Sequence, residues 1–386
     1  MNARLSVSDL VTLFLRPESV LDYSPSRLSK AIIVLREQRV LGRYCYRFEQ
    51  AGVLEKLDER AQRHLNNAMQ VALRQKEQVF TEVENLIKTL KSSAEYVIFL
   101  KGTAYTMCGA SIGEGRIYSD IDLLVPKGDL TNCEQRLAIA GWISQAVNDY
   151  DDNYYRKWAH EIPPMAHGQT GTVIDVHHNI VPVISKASPN IQLLTQYKEE
   201  IAPNIFVLNA PAQLVHAAIH LFRNEDYRAS FRDLTDLYLM MENQPDDFFE
   251  QAIYIASEIG FKKELALALR YVHQLLCLPL PAKALALAQS QTNIKQSVND
   301  WIFSSVLLPQ HDLIEQSHTP LKHTLAMMRG HFLKMPLHIL IYHLTVKSCR
   351  GILESVFGEH IFTPKDEMPA LQGGQAQGKS GKAKTP

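Results

Sequence analysis

Tyr96-Val-Ile-Phe-Leu-Lys-Gly-Thr-Ala-Tyr105 and Gly115-Arg-Ile-Tyr-Ser-Asp-Ile-Asp-Leu-Leu-Val125 decide how this chain is read. In the first segment an apolar run, Val97 to Leu100, stops at Lys101-Gly102-Thr103. The pattern predicts a buried strand that breaks at a glycine and turns into a helix. In the second segment Asp120 and Asp122 fall on one face of a strand, with Ile121, Leu123 and Val125 on the other. Aspartate is a poor strand former, so two of them in an Ile/Leu/Val strand need a reason.

Alternate residues of a strand lie roughly 6.6–6.8 Å apart, and carboxylates at that spacing can converge on a pair of metal ions about 3.5–4 Å apart. Two neighbouring acids repel each other, and a cation between them removes that cost. Oxygen ligands of this kind suit Mg²⁺, which takes one or two carboxylates plus substrate phosphates. The Gly102-Thr103 turn adds backbone N–H groups and a hydroxyl at an expected helix start, a place that favours phosphate. A phosphate turn beside a pair of metal-binding acids is equipment for nucleotidyl transfer.

Gly102-Thr103 followed by Ser119-Asp120-Ile121-Asp122 resembles the Gly-Ser…Asp-x-Asp signature of the polymerase-beta-type nucleotidyltransferase superfamily. Leu100-Lys-Gly102, Arg116, Ser119–Val125 and the later Val173-Ile-Asp-Val-His177 resemble one branch of it, the uncharacterised nucleotidyltransferase family. The resemblance spans roughly residues 95–240 and implies an NTP substrate and a divalent cofactor, Mg²⁺ with Mn²⁺ as the alternative. It implies that Asp175 is a third acid on a neighbouring strand, so that Asp120, Asp122 and Asp175 are the catalytic and metal-binding set. Lys101, Gly102, Thr103, Arg116, Ser119 and His177 then form the expected nucleotide site. Lys101 neutralises phosphate charge, and Arg116 clamps phosphate bidentately. Ser119 is expected to orient Asp120 or bond phosphate, and His177 either bonds phosphate or an acid or simply sits beside the site. Two departures bear on phosphate geometry: Thr103 replaces the commoner serine, and the segment from Thr103 to Ser119 is longer than usual.

The expected fold class is α+β, a small mixed sheet flanked by helical regions. Residues 1–92 read as an N-terminal helical region, with Val79, Val83, Leu86, Ile87 and Leu90 at helical spacing on a helix that packs on the sheet. Residues 93–208 read as the nucleotidyltransferase core, with a helix from Lys127 to Ala140, an aromatic-rich strand from Asn153 to Ile162, and another strand at Thr172–His178. Strand signals nearly vanish from 209 to 362, which reads as a C-terminal helical domain. Residues 363–386 are Gly/Lys-rich and are expected to be a disordered tail.

Composition sets further bounds. The chain has 386 residues, 46% hydrophobic and 21% charged, with a formal net charge of −1. These are values of an ordinary globular protein, and no general nucleic-acid binding is expected. The five cysteines are scattered, and no secretory signal or membrane-span pattern is read, so a reducing, cytoplasmic setting is expected. The acceptor is left open between a small molecule, a protein side chain and an RNA end. The alternative is a catalytically degenerate member that binds nucleotide or protein. His216 and His220, with Asp233 and Asp236, and separately His160, His167, His177 and His178, contain metal-binding residue types. The first group is more simply read as hydrogen bonds between helices, and the second matches no zinc spacing.

Overall fold

A computed structural model of the protein describes residues 5–109, 111–146, 149–290, 294–314 and 320–357. The expected tail at 363–386 lies outside the described residues. Among the described residues, six short and mainly apolar segments and the charged segment β6 give seven strands: β1 (Ile98–Phe99), β2 (Ile121–Leu124), β3 (Trp142–Ser144), β4 (Met165–His167), β5 (Val173–His177), β6 (Lys198–Ala202) and β7 (Ile205–Leu208). They form one mixed sheet in the order β3-β4-β5-β2-β1-β7-β6. β2 lies at the centre, antiparallel to β1 and parallel to β5. β1 runs parallel to β7. Every residue of β2 is buried, so its aspartate sits inside the protein rather than on a half-exposed surface.

The helix after β2 forms as read: a short 3₁₀ turn at Lys127–Asp129 leads into Leu130–Ile139. It stops at Gly141, whose φ of 94° lies in the region that favours glycine. The aromatic-rich segment departs from expectation. Residues Asp149–Trp158 are helical, not a strand. The reason is helical pairing: Arg156 binds Asp152 one turn back at 2.8 Å, and the rings of Tyr154 and Trp158 meet at the same spacing. The chain becomes extended only at Glu161, which bridges His177.

Helices flank the sheet at both ends. The helix Glu59–Leu90 starts at Asp58, whose carboxylate accepts the N–H of Ala61. It buries Val79, Val83, Leu86, Ile87 and Leu90, and packs against the helices Leu41–Gln50, Lys101–Met107 and Leu130–Ile139. Its polar side reaches the loops that lead into the central strands. Gln75 accepts the N–H of Tyr118 at 3.0 Å, Lys76 pairs with Glu114 at 2.5 Å, and Glu82 accepts from the hydroxyl of Thr172 at 2.9 Å. After β7, Asn209 caps the helix Ala210–Arg223, and a series of amphipathic helices follows. One compact unit ends at Pro336, and a second, described by itself, begins at Leu337 and holds the helix Leu337–Phe357. Among the described residues no helix is long and apolar enough to cross a membrane.

Candidate active site

The register of the two central parallel strands creates the site. Asp122 on β2 stands directly beside Asp175 on β5, and Leu124 beside His177. Side chains of paired residues share a face, so two acids and an imidazole come together. Asp122 is 3% exposed. An isolated carboxylate there would be costly, and its Oδ1 is met by two donors: Lys101 Nζ at 2.6 Å and His177 Nε2 at 2.9 Å. Burial alone would raise the Asp122 carboxyl, but Lys101 and His177 outweigh it and hold the group well below the usual carboxylate range. Burial opposes the charge on Lys101 too, yet Asp122 and Asp120 more than offset this and raise the ammonium's pKa. Lys101 is held at φ 46°, a conformation that L residues seldom adopt outside glycine, exactly where the chain turns from β1 into the helix Lys101–Met107.

Asp175 is less well served. Its Oδ1 is buried and has no hydrogen-bond partner. Burial, the Asp122 carboxylate and Glu161 together push its carboxyl up to about 7. His177 is clamped at its other nitrogen, with Nδ1 lying 3.1 Å from Glu161 Oε2. Burial would lower the His177 pKa, but Glu161 and Asp122 prevail and raise it. Asp120 lies just before β2, and the Ser119 hydroxyl donates to its Oδ1 at 3.0 Å. Burial and Asp122 raise its pKa.

Lys101, Asp120, Glu161, Asp175 and His177 line a cavity of about 220 Å³. A larger polar chamber of about 830 Å³ meets it at Asp120, His220 and Asn224, and Ser119 lines that chamber. Asp122 lies behind Lys101 and His177 rather than on the cavity wall. A more apolar groove of about 860 Å³, between the helices Asp246–Glu258, Lys262–Leu276 and Ala282–Gln289, contains none of these acids.

The same geometry assigns other residues elsewhere. Arg116 turns away from the cavity and puts Nε and Nη2 on Asp236 Oδ2 at 3.2 and 3.1 Å. Arg43 Nη2 takes the other oxygen of Asp236 at 2.5 Å. All three side chains are buried. Burial would raise the Asp236 carboxyl, and Arg116 and Arg43 overcome this to lower it. Gly102 lies against Arg116, and a Cβ there would sit 2.2 Å from Nη1, so the close approach itself requires glycine. Thr103 is 1% exposed, and its hydroxyl is buried without a partner. The structure thus gathers Lys101, Ser119, Asp120, Asp122, Asp175 and His177, and sets Arg116 into an ion-pair node in place of a phosphate clamp.

A family model described as "Uncharacterised nucleotidyltransferase" matches residues 24–277. The chain belongs to the uncharacterised nucleotidyltransferase family. No curated protein and no solved structure matches it. The match runs well beyond the segment 95–240 on which the resemblance was read. It includes Arg43 and Asp236, so the whole ion-pair node of Arg116 lies within the span of the family match.

The site fits a divalent cation on its own chemistry. Ligand atoms of Asp122, Asp175 and His177 all lie within 4.8 Å of one another, and Asp175 Oδ1 is an orphaned buried acceptor in that group. Of the residues read as metal-binding types, Asp236 is committed to arginines, and His220 Nδ1 lies 4.0 Å from Asp233 Oδ2. Burial and Lys101 push His216 down to about 3 and His220 well below its ordinary value, so both are neutral. His167 is packed edge-on to Trp142 at 5.0 Å. Glu161 went unread as a site residue because nothing in its local sequence marks it; only the bridge to His177 brings it in.

Proposed function

We propose that this protein is a Mg²⁺-dependent nucleotidyltransferase that moves an NMP from an NTP to a hydroxyl acceptor and releases pyrophosphate. The observation that carries the reading is the pairing of Asp122 with Asp175 on adjacent parallel strands, with Asp120 at the wall of the same cavity. Asp120, Asp122 and Asp175 would hold the cation. When bound, Mg²⁺ offsets the charge on the attacking and leaving oxygens of an in-line displacement.

The chain's own residues have separate tasks. Lys101 lines the cavity and binds phosphate oxygens there, and the Gly102-Thr103 turn carries it. Ser119 fixes the rotamer of Asp120. His177 fixes Asp122. Asp175 accepts the proton of the acceptor hydroxyl as the new O–P bond forms and the bond to pyrophosphate breaks. The chamber that meets the cavity at Asp120 has room for the rest of the nucleotide or for the acceptor. Arg116 supports this arrangement from behind, by holding the loop that delivers Ser119 and Asp120. A cytoplasmic setting goes with this reading, since the NTP pool supplies the substrate.

The test is transfer of α-labelled NTP. Each of the four NTPs is incubated with the protein, Mg²⁺ or Mn²⁺, and a cell lysate as the acceptor source. Label should appear on a protein, an RNA end or a small molecule, and Asp120→Asn should remove it. Absence of label above that variant with all four nucleotides, while Mg²⁺–NTP still binds, would favour a nucleotide-binding member without transfer.

A further inference from the structure

We propose that His160, Glu161 and His177 form a transition-metal site of the zinc type, distinct from the carboxylate pair and open on one side to the cavity. The helix Asp149–Trp158 ends in a bend at Ala159-His160. From there the chain is pinned to the end of β5. The carbonyl of His160 accepts from the N–H groups of His178 and Asn179 at 2.8 and 3.2 Å, and Ile162 donates to Val176 at 3.1 Å. Two consecutive residues are thereby brought beside His177.

The distances suit a small ion. His177 Nδ1 lies 3.1 Å from Glu161 Oε2, and His160 Nε2 lies 4.0 Å from the same oxygen. The two rings are 5.3 Å apart. Ligand atoms of the three residues all fall within 4.8 Å of one another. Metal–ligand bonds of roughly 2.0–2.2 Å at tetrahedral angles place ligands about 3.4 Å apart, a value the two measured separations bracket.

Orientation is already supplied. His177 Nε2 bonds Asp122 Oδ1 at 2.9 Å, the carboxylate contact that fixes a ligating imidazole and leaves its other nitrogen, Nδ1, facing the ion. His160 Nδ1 is buried without a partner, so no hydrogen bond holds that ring away. Two imidazoles and a carboxylate suit Zn²⁺, Co²⁺ or Mn²⁺, whereas the all-oxygen pair Asp122 and Asp175 suits Mg²⁺. His160, Glu161 and His177 line the same cavity as Asp120 and Asp175, so the open coordination position faces an oxygen anion such as a phosphate or an alkoxide. Asp122 would then link the two metal sites: its carboxylate belongs to one and orients a ligand of the other.

The test uses Co²⁺ alone on full-length protein stripped with chelator. Wild type should bind one Co²⁺ and show the intense visible bands of a four- or five-coordinate ion, with Zn²⁺ displacing it and millimolar Mg²⁺ not. His160→Asn and Glu161→Gln should each weaken Co²⁺ binding about tenfold or more and abolish those bands. Asp120→Asn should keep them. Weak octahedral absorption only, bands that persist in both variants, or bands lost in Asp120→Asn would each overturn the assignment. Should His160→Asn fail to fold, Glu161→Gln decides. No nucleotide is present, so this outcome and that of the transfer assay are independent.

Discussion

Asp175→Asn should stabilise the protein at alkaline pH, and not at acid pH, once divalent ions are chelated. The Asp175 carboxyl is pushed up to about 7 from 3.8 by burial and by the acids Asp122 and Glu161. Between those values the folded protein binds a proton that the unfolded chain has lost. The associated stability is therefore full below about pH 4 and disappears as the pH rises through about 7. A shift of about three units at ~1.4 kcal/mol per unit sets a ceiling of ~4 kcal/mol. Asp175 borders a cavity, where solvent screens part of the repulsion, so the expected effect is about 2 kcal/mol. Urea unfolding of wild type and variant in EDTA, at about pH 4 and about pH 8, isolates most of it as a difference of differences. At the lower pH folded Asp175 is protonated, the unfolded carboxyl is only about half ionised, and asparagine is close to isosteric. Mg²⁺ at the higher pH should raise the stability of wild type more than that of the variant. An equal gap between the two proteins at both pH values, or a variant that is the less stable one at alkaline pH, would refute the picture of a strained acid awaiting a counterion.

Other substitutions test other parts of the site. Lys101→Met strips one of the two donors from buried Asp122 and should cost about 3–5 kcal/mol in chelator at neutral pH, read by denaturant unfolding; a loss under about 1 kcal/mol would show that His177 suffices. Asp236→Asn leaves Arg43 and Arg116 buried against a neutral amide, and should lower stability by about 3 kcal/mol or more, seen in melting temperature and soluble yield. Arg116→Met should reduce stability and, by loosening the loop that carries Asp120, weaken Mg²⁺–NTP binding far less than Asp120→Asn does, measured by calorimetric titration. Gly115→Ala should be severely destabilising: the new Cβ would lie 2.3 Å from the carbonyl of Gly42, at a φ of 63°. Gly128→Ala, with nothing within 4 Å, is the neutral control.

Local sequence made some of this site legible and not the rest. Asp120 just before β2 and Asp122 within it, the acid and histidine of β5, and the glycine turn after β1 are readable because each depends on strand alternation or on a chain break. Which acids meet was not readable: the pairing of Asp122 with Asp175 is a matter of register between strands far apart in the chain. Two like charges were expected to need a metal between them, whereas Lys101 and His177 already balance Asp122, leaving Asp175 as the acid without a partner. Arg116 fits a phosphate clamp by position alone; its partner Asp236, and Arg43 on the other oxygen of Asp236, lie on helices outside the sheet. Aromatic content favours strands on average, but Asn153–Trp158 continue a helix whose i,i+4 contacts include Asp152 with Arg156 and Tyr154 with Trp158. The β6–β7 hairpin escaped notice because Lys198-Glu-Glu200, exposed at the sheet edge, lacks apolar alternation.

The node of Arg43, Arg116 and Asp236 has a consequence for the order in which the protein is built. Arg43 and Asp236 are 193 positions apart, and Arg116 and Asp236 are 120 apart. Contacts this remote in sequence form late, since a long loop must close before they contribute. During synthesis Asp120, Asp122 and Asp175 leave the ribosome before the residue that pairs with Arg116. A nascent chain that has not reached Asp236 therefore holds the loop before β2 through contacts such as those of Gln75 and Lys76, without its buried arginine anchor. The anchor of that loop is completed by the helix Ser230–Met241, long after the strands of the sheet have been translated.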